Sequence, residues 1–323
     1  MPDPAHFEHW EDLRPWLVEL GLDGAVPVRR LTNEHGAYSP AGRWIVELDD
    51  GERRFVKAMR ARAVGRHGVE NEHRALELLG VPWVAQIHAW RAGSEQHETP
   101  SVLVVEDLSD AAWGAPLDQA RADGLRRTLD HVATVTPPGD LATLTAQEPF
   151  RGCGWPRLLE RSRAIVELGV VDQAWIDEHG PALADAATQV DCSGSGLVHG
   201  DLWLQNWCSR GEHAVLVDWT GASIGNPRLN HAWGECGVRA AGGPAGRVLA
   251  PTEPDHDAWA AWMSGLACSF VAFDDFDRAE HHNLHLTQLR EACASIRWAC
   301  EAHALPAPAS LAAVEARAGA WRP

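Results

Sequence analysis

The sequence changes character at about residue 108, and that change limits what the chain can fold into. Before it, most apolar residues fall in short strand-like runs; after it, most recur at helical spacing. Residues 7–20 suggest a short amphipathic helix. Residues 43–48 (RWIVEL) roughly alternate, Asp49, Asp50 and Gly51 form a turn, and residues 54–59 (RFVKAM) return, which predicts a β-hairpin. Residues 69–79 carry Val69, Ala75, Leu76 and Leu79 with no internal Gly or Pro, and Gly80 and Pro82 follow, so a helix should end there. Residues 84–91 and 101–108 suggest two more strands. Helical periodicity then covers 116–135, 155–168, 172–190 and 256–304, with one β-like stretch from 197 to about 217. A chain of 323 residues exceeds what one core usually serves. The expectation is an α+β chain of two lobes, a small β-rich lobe over 1–108 and a larger, mainly helical lobe over 109–323.

The most informative local pattern lies in the β-like stretch. Residues 197–207 read LVHGDLWLQNW and place His199, Asp201 and Asn206 in the pattern H-x-D-x-x-x-x-N. Residues 215–219 (VLVDW) then form a short apolar strand that ends in Asp218. Phosphoryl transfer to an alcohol needs a carboxylate aimed at the incoming hydroxyl, and oxygen ligands for a Mg²⁺ ion on the phosphates. Asp201 suits the first role. Asn206 and Asp218 suit the second, because Mg²⁺ takes few carboxylates and keeps several waters. A lone H-x-D pair is commonplace and often structural; the whole set with its following strand is far more specific.

Upstream, Lys57 sits among apolar residues in RFVKAM. A lysine turned inward there needs an anion, either nucleotide phosphates or a glutamate of the following helix. That helix offers Glu70, Glu72 and Glu77, and Glu72 is the choice, with Glu70 next. Taken alone, the lysine could snorkel and the glutamates form a solvated face.

These residues resemble the aminoglycoside phosphotransferase and choline kinase superfamily, which has a protein-kinase-like fold. The resemblance rests on residues 54–57 (RFVK), the Glu72 helix ending LLGVP, residues 103–108 (LVVEDL), HGDL from His199, and VDW from Val217 with the later Gly225-Asn226-Pro227. It implies a two-lobed nucleotide kinase with ATP or GTP as co-substrate and Mg²⁺ as cofactor. It implies that Lys57 pairs with Glu72 and that Glu106, Asp107 and Leu108 form the interlobe hinge whose backbone meets the adenine. It implies Asp201 as the base and Asn206 and Asp218 as the metal ligands. The acceptor would be a hydroxyl of an aminoglycoside, amino sugar or similar small alcohol; a nucleotide-binding pseudokinase is the alternative. The chain departs from the pattern in three places. No G-x-G-x-x-G precedes Lys57, and residues 32–39 (TNEHGAYS) stand in its place with the single Gly36. Trp219 follows Asp218 where protein kinases have Phe-Gly. Asn230 stands near the position of an aspartate that usually braces the catalytic loop. His199 to Trp203 also resembles the H-G-D-L-W of fructosamine kinases, so Trp203 either lines the acceptor site or packs.

The formal net charge of −17 argues against nucleic acid as a partner and would suit a cationic acceptor. Asp255 and Asp257, or the acidic run Asp274, Asp275, Asp277 and Glu280, are candidates to greet one. His281, His282 and His285 have helical spacing compatible with a metal, and Arg60, Arg62 and Arg66 with a phosphate contact; solvent exposure explains both sets as well. Seven cysteines without a C-x-x-C pair suit a reducing cytoplasm. The acidic start is unlike a signal peptide, and no run approaches the 18 apolar residues of a membrane span.

Overall fold

The computed structural model describes residues 7, 9–32, 41–60, 67–144, 154–273 and 281–319. The chain opens with helix α1 (Trp10–Glu19) and enters a five-stranded antiparallel sheet of β1 (Val26–Leu31), β2 (Gly42–Glu47), β3 (Arg53–Met59), β4 (Ile87–Arg91) and β5 (Ser101–Glu106). Their order is β1-β2-β3-β5-β4, with helix α2 (His67–Leu79) between β3 and β4 in sequence. Strand β1 was not foreseen. Its sequence VPVRRL lacks alternation and contains Pro27, which an edge strand tolerates because one side of its backbone needs no partner.

The period of two along β3 sorts its side chains. Val56 and Ala58 join Trp44, Val46, Val102 and Val104 in the core under α1, where Leu13 and Leu17 cover them. Lys57 and Met59 point to the opposite face, toward α2 and the rest of the molecule. Arg43 is paired with Lys57 across the β2–β3 ladder, so both cations share that face. The β-hairpin expected over 43–59 therefore does more than build a sheet: its register sets two positive charges side by side.

After β5 the chain is mainly helical. Strand β6 (Ala112–Trp113) precedes α3 (Gln119–Val132), α4 (Trp155–Glu160), α5 (Arg163–Leu168) and α6 (Gln173–Ala187). Asp118 and Asp172 cap α3 and α6 by accepting backbone N–H bonds from Arg121 and Trp175 at 2.9 Å each. Then come β7 (Gly196–Val198), β8 (Trp207–Arg210), β9 (His213–Leu216) and β10 (Ser223–Gly225), which form the small sheets β10-β7 and β6-β8-β9. Helices α7 (Arg228–Ala240), α8 (His256–Phe273), α9 (His282–Ala302) and α10 (Leu311–Ala318) complete the fold. The single helical run expected over 256–304 is described as two helices, α8 and α9, that pack on each other. Helix α7 was missed because Asn230, His231, Gly234, Glu235 and Gly237 break up its apolar residues; it is buried on nearly every side, so no polar face marks it. Among the described residues no helix is long and apolar enough to cross a membrane.

Helix α7 carries a fully buried carboxylate that organises its surroundings. Glu235 accepts from the backbone N–H groups of Gly246, Val248 and Leu249 at 2.6, 3.1 and 3.3 Å, and from Arg239 Nε at 2.7 Å. A buried charge is tolerable when donors surround it in this way. Glu235→Gln would turn an amide donor toward donors. The expected loss is about 2–4 kcal/mol in urea unfolding, and a loss below about 1 kcal/mol would show that the loop does not depend on the charge.

Candidate active site

Lys57 is only 2% exposed and makes two contacts. Its Nζ lies 2.5 Å from Glu72 Oε2 and 2.7 Å from Asp218 Oδ1. The second Glu72 oxygen accepts the backbone N–H of Asp218 at 3.1 Å, and Arg43 Nη2 stands 3.4 Å from Asp218 Oδ2. Glu72 is thus the glutamate of α2 that reaches the lysine. Glu70 receives a hydrogen bond from Ser101 Oγ at 3.4 Å, and Glu77 faces His73 at 3.6 Å. Arg43 was not foreseen, although its odd position in RWIVEL, in step with Lys57 across the hairpin, was the signal that could have shown it.

Asp218 follows β9 in a left-handed conformation, φ 59° and ψ 55°, which turns its carboxylate off the strand axis toward Lys57. Burial works against its charge, but Lys57 and Arg43 outweigh burial and hold it well below the usual carboxylate range. Glu72 is pushed up by burial and by the Asp218 charge, with Lys57 opposing them.

Asp201 and Asn206 lie on the loop between β7 and β8. Asn206 Nδ2 donates to the Asp201 backbone carbonyl at 2.7 Å and to Asp201 Oδ2 at 3.0 Å. That orientation aims the amide nitrogen at Asp201 and leaves its carbonyl oxygen for another partner. Burial and then the Asp218 charge push the Asp201 carboxyl up to about 7, against hydrogen bonds from Asn206 and the Trp203 side chain and the charge of Lys57. Trp203 therefore both touches Asp201 and packs, edge-on, against Trp233 with ring centroids 5.2 Å apart.

The loop is held from below. Gly200 has φ +79°, and a Cβ there would meet Gly221 O at 2.2 Å, so only glycine fits between His199 and Asp201. The buried Asn230 accepts the His199 backbone N–H at 2.9 Å and donates to Leu197 O at 3.0 Å. An aspartate could accept the first bond but not donate the second, so the amide is suited to this brace rather than a weakened version of it. His199 Nε2 lies 2.9 Å from Val217 O, and its ring packs at a tilt of 41° against Trp219 with centroids 4.4 Å apart.

The side chains of the segment after β5 are committed within the chain. Glu106 pairs with Arg210 of β8 and accepts Gln86 N–H at 3.1 Å. Asp107 Oδ1 accepts from Ser109 N–H at 2.9 Å, and Leu108 O accepts from Trp113 Nε1 at 2.8 Å. Asp255 pairs with Arg228 at 2.8 Å, and Asp257 lies 3.0 Å from His256 Nδ1. Arg60 pairs with Asp12 at 3.0 Å, away from the Lys57 cluster. Among the described residues, no three His, Cys, Asp or Glu side chains converge as a metal site, His281, His282 and His285 included. Most of the candidate phosphate loop (33–39), Arg62, Arg66 and the acidic run of Asp274, Asp275, Asp277 and Glu280 lie outside the described residues.

No protein-family model matches the chain, and no curated protein matches it in sequence. Solved structures do match it. A protein from Thermobifida fusca YX-ER1 assigned as a fructosamine-3-kinase covers 90% of this chain and 100% of its own, with TM-score 0.50 and 19% identity. The chain has the two-lobed protein-kinase-like fold. Choline kinase LicA from Streptococcus pneumoniae also matches, over 90% of this chain and 98% of its own, with TM-score 0.49 and 13% identity. So does macrolide 2'-phosphotransferase MphH from Brachybacterium faecium, over 90% and 97%, with TM-score 0.46 and 16% identity. At these identities the likeness is one of fold.

Burial holds the His199 pKa down, to about 4. The unfolded chain, with an ordinary value of 6.5, binds the proton more readily between those limits. His199 therefore contributes stability that is present above about pH 6.5 and lost as pH falls toward 4. The full loss is roughly 3 kcal/mol, at about 1.36 kcal/mol for each pH unit of separation. Urea midpoints measured from pH 7 to 4 should fall less steeply in His199→Gln, and equal slopes would mean that His199 takes up its proton as readily in the folded protein as in the unfolded chain.

Proposed function

We propose that this chain is a small-molecule kinase that transfers the γ-phosphate of ATP or GTP to a hydroxyl of a small alcohol. The observation that carries it is the meeting of two unlike carboxylates at one cleft, Asp218 held charged by Lys57 and Arg43, and Asp201 pushed up to about 7 without a cation in contact. A base works best with a pKa near the working pH, and Asp201 is so placed.

In this reading the nucleotide lies between the sheet and the β7–β10 region, its adenine against the backbone of Glu106, Asp107 and Leu108. Lys57, steadied by Glu72, holds the phosphates. The Asn206 carbonyl oxygen and the Asp218 carboxylate are hard oxygen donors of the kind Mg²⁺ prefers, and two protein ligands are enough when phosphates and waters fill the rest. When bound there, Mg²⁺ would offset the negative charge of the phosphates. Asp201 orients the acceptor hydroxyl, takes its proton as the oxygen attacks the γ-phosphorus, and the nucleoside diphosphate leaves from the opposite side. The acceptor belongs to the class of aminoglycosides, amino sugars and similar alcohols, and fructosamine kinase, the name given to one matching structure, is of that general type. The six described cysteines are free thiols, in keeping with a reducing cytoplasm.

The test is turnover of Mg-ATP and Mg-GTP with a panel of aminoglycosides, amino sugars, hexoses, choline and homoserine, read as phosphorylated product by mass. Asp201→Asn should bind nucleotide as the parent does and lose transfer by about 10²-fold or more. Undiminished transfer in that variant removes Asp201 as the base. Nucleotide bound without product on any acceptor favours the pseudokinase reading, and no nucleotide binding ends both.

A further inference from the structure

Lys57 has a second cation beside it that the needs of Asp218 do not explain. Arg43 lies near the start of β2, opposite Lys57, and its side chain is only 7% exposed. Burying a guanidinium is costly. Asp218 does not demand it, because Lys57 Nζ already stands 2.7 Å from Asp218 Oδ1. Arg43 Nη2 stands 3.4 Å from the other oxygen, a looser contact than the roughly 2.7–2.9 Å of a charge-assisted hydrogen bond. The strand nevertheless holds Arg43 in place. A Cβ on Gly42 would lie 2.6 Å from Phe7 Cβ, so the start of β2 fits tightly against Phe7. Arg43 Nη1 donates to Ala41 O at 3.3 Å.

The sheet register shows what a cation at this place would serve. On the face that carries Lys57, one row of paired residues is Ile45, Phe55 and Val105, and the next is Arg43, Lys57 and Leu103. The first row is wholly apolar. The second, about 7 Å away along the strands, brings two cations together. A nucleotide has the same polarity, with a flat base at one end and a chain of phosphates at the other. The apolar row also lies nearer the end of β5, where Val105 leads into Glu106, Asp107 and Leu108, the segment assigned to the base.

Charge makes the same distinction. Lys57 alone would face the two carboxylates of Glu72 and Asp218, an excess of negative charge that repels a polyanion, and Arg43 removes that excess. The cluster opens at Asp218, whose side chain is 27% exposed, and the two cations border its two oxygens. An anion that enters there meets both. A guanidinium is the better of the two for phosphate, because its planar fork matches a pair of phosphate oxygens. Residues 32–39 hold the single glycine Gly36, where phosphate-covering loops use several, so a side-chain cation has more to supply.

We propose that Arg43 is a second phosphate-binding residue of this cleft, holding the phosphate chain of the nucleotide side by side with Lys57. The inference rests on the kinase reading and deepens it. It gives Arg43 a ligand of its own rather than a share in neutralising Asp218.

Calorimetric titration with ATP and with adenosine, each in EDTA and each with Mg²⁺, separates the phosphate chain from the base. The quantity read is the ratio of the adenosine Kd to the ATP Kd. Arg43→Gln should lower that ratio about tenfold or more, in EDTA as well as with Mg²⁺. Arg43→Met, a neutral chain that needs no polar partner, is the second variant should the first fail to fold, and it should give the same fall. An unchanged ratio in a folded variant overturns the assignment. A fall seen only with Mg²⁺ also overturns it, because Arg43 would then act through Asp218 and not on phosphate. Both of these outcomes leave the kinase reading standing, since ATP still binds the parent. Failure of the parent to bind ATP overturns the assignment and the kinase reading together.

Discussion

A lysine buried to 2% exposure is the constraint around which the cleft is arranged. Taking an ammonium out of water costs several kcal/mol even after the protein relaxes, and only close opposite charge offsets it. Lys57 meets that demand with two carboxylates at once, Glu72 from α2 and Asp218 from the end of β9. Because those carboxylates come from elements far apart in sequence, the need to neutralise one lysine ties the sheet, α2 and the β8–β9 region together. Arg43 balances the count, two cations against two carboxylates, so the cluster is buried without net charge. Such a cluster is poor evidence for stability, since an apolar replacement could pack as well. What it supplies is position, since it holds two cations at fixed places beside Asp218.

The loop that faces this cluster is fixed by bonds that do not touch the cleft. Asn230 grips it on both sides of Val198, through the His199 N–H and the Leu197 carbonyl, and His199 reaches across to Val217, next to Asp218. Gly200 permits the close approach to Gly221. The positions of Asp201 and Asp218 are therefore coupled through main chain rather than through each other. Bonds of this kind fix the separation of the two carboxylates from outside the pair.

How much of this was legible in the sequence depended on whether the signal was local. The hairpin of β2 and β3, α2 with its stop at Gly80, and the H-x-D-x4-N loop each declare themselves within a dozen residues, and Lys57, Glu72, Asp201, Asn206 and Asp218 come together in the fold as a group. What stayed hidden was set by partners distant in sequence. Arg43 looks like a strand residue facing solvent until the register pairs it with Lys57. Glu235 and Glu291 lie in helices whose sequences give no reason to bury an acid; one is satisfied by backbone amides more than ten residues away, and the other has an oxygen left unpaired. Helix α7 escaped notice for a related reason: with every side covered, it has no periodic contrast to detect. Asn230 looked like a loss when compared with an aspartate, and only the second bond, to Leu197, shows why an amide belongs there.

The contrast between Asp201 and Asp218 links this architecture to chemistry. Both are carboxylates near Lys57, and both are surrounded by protein. Asp218 receives Lys57 and Arg43 directly and stays charged against the cost of burial. Asp201 is raised to about 7 by burial first and then by the Asp218 charge, and the hydrogen bonds from Asn206 and Trp203 and the more distant Lys57 charge do not offset them. Two acids whose surroundings push them apart can divide their labour, one remaining an anion and the other exchanging a proton near neutrality. The division does not come from the residues themselves, which are identical. It comes from the β2–β3 register, which sends both cations toward Asp218 and neither into contact with Asp201. A sheet pairing laid down by a hairpin thus decides which of the two aspartates is held as an anion.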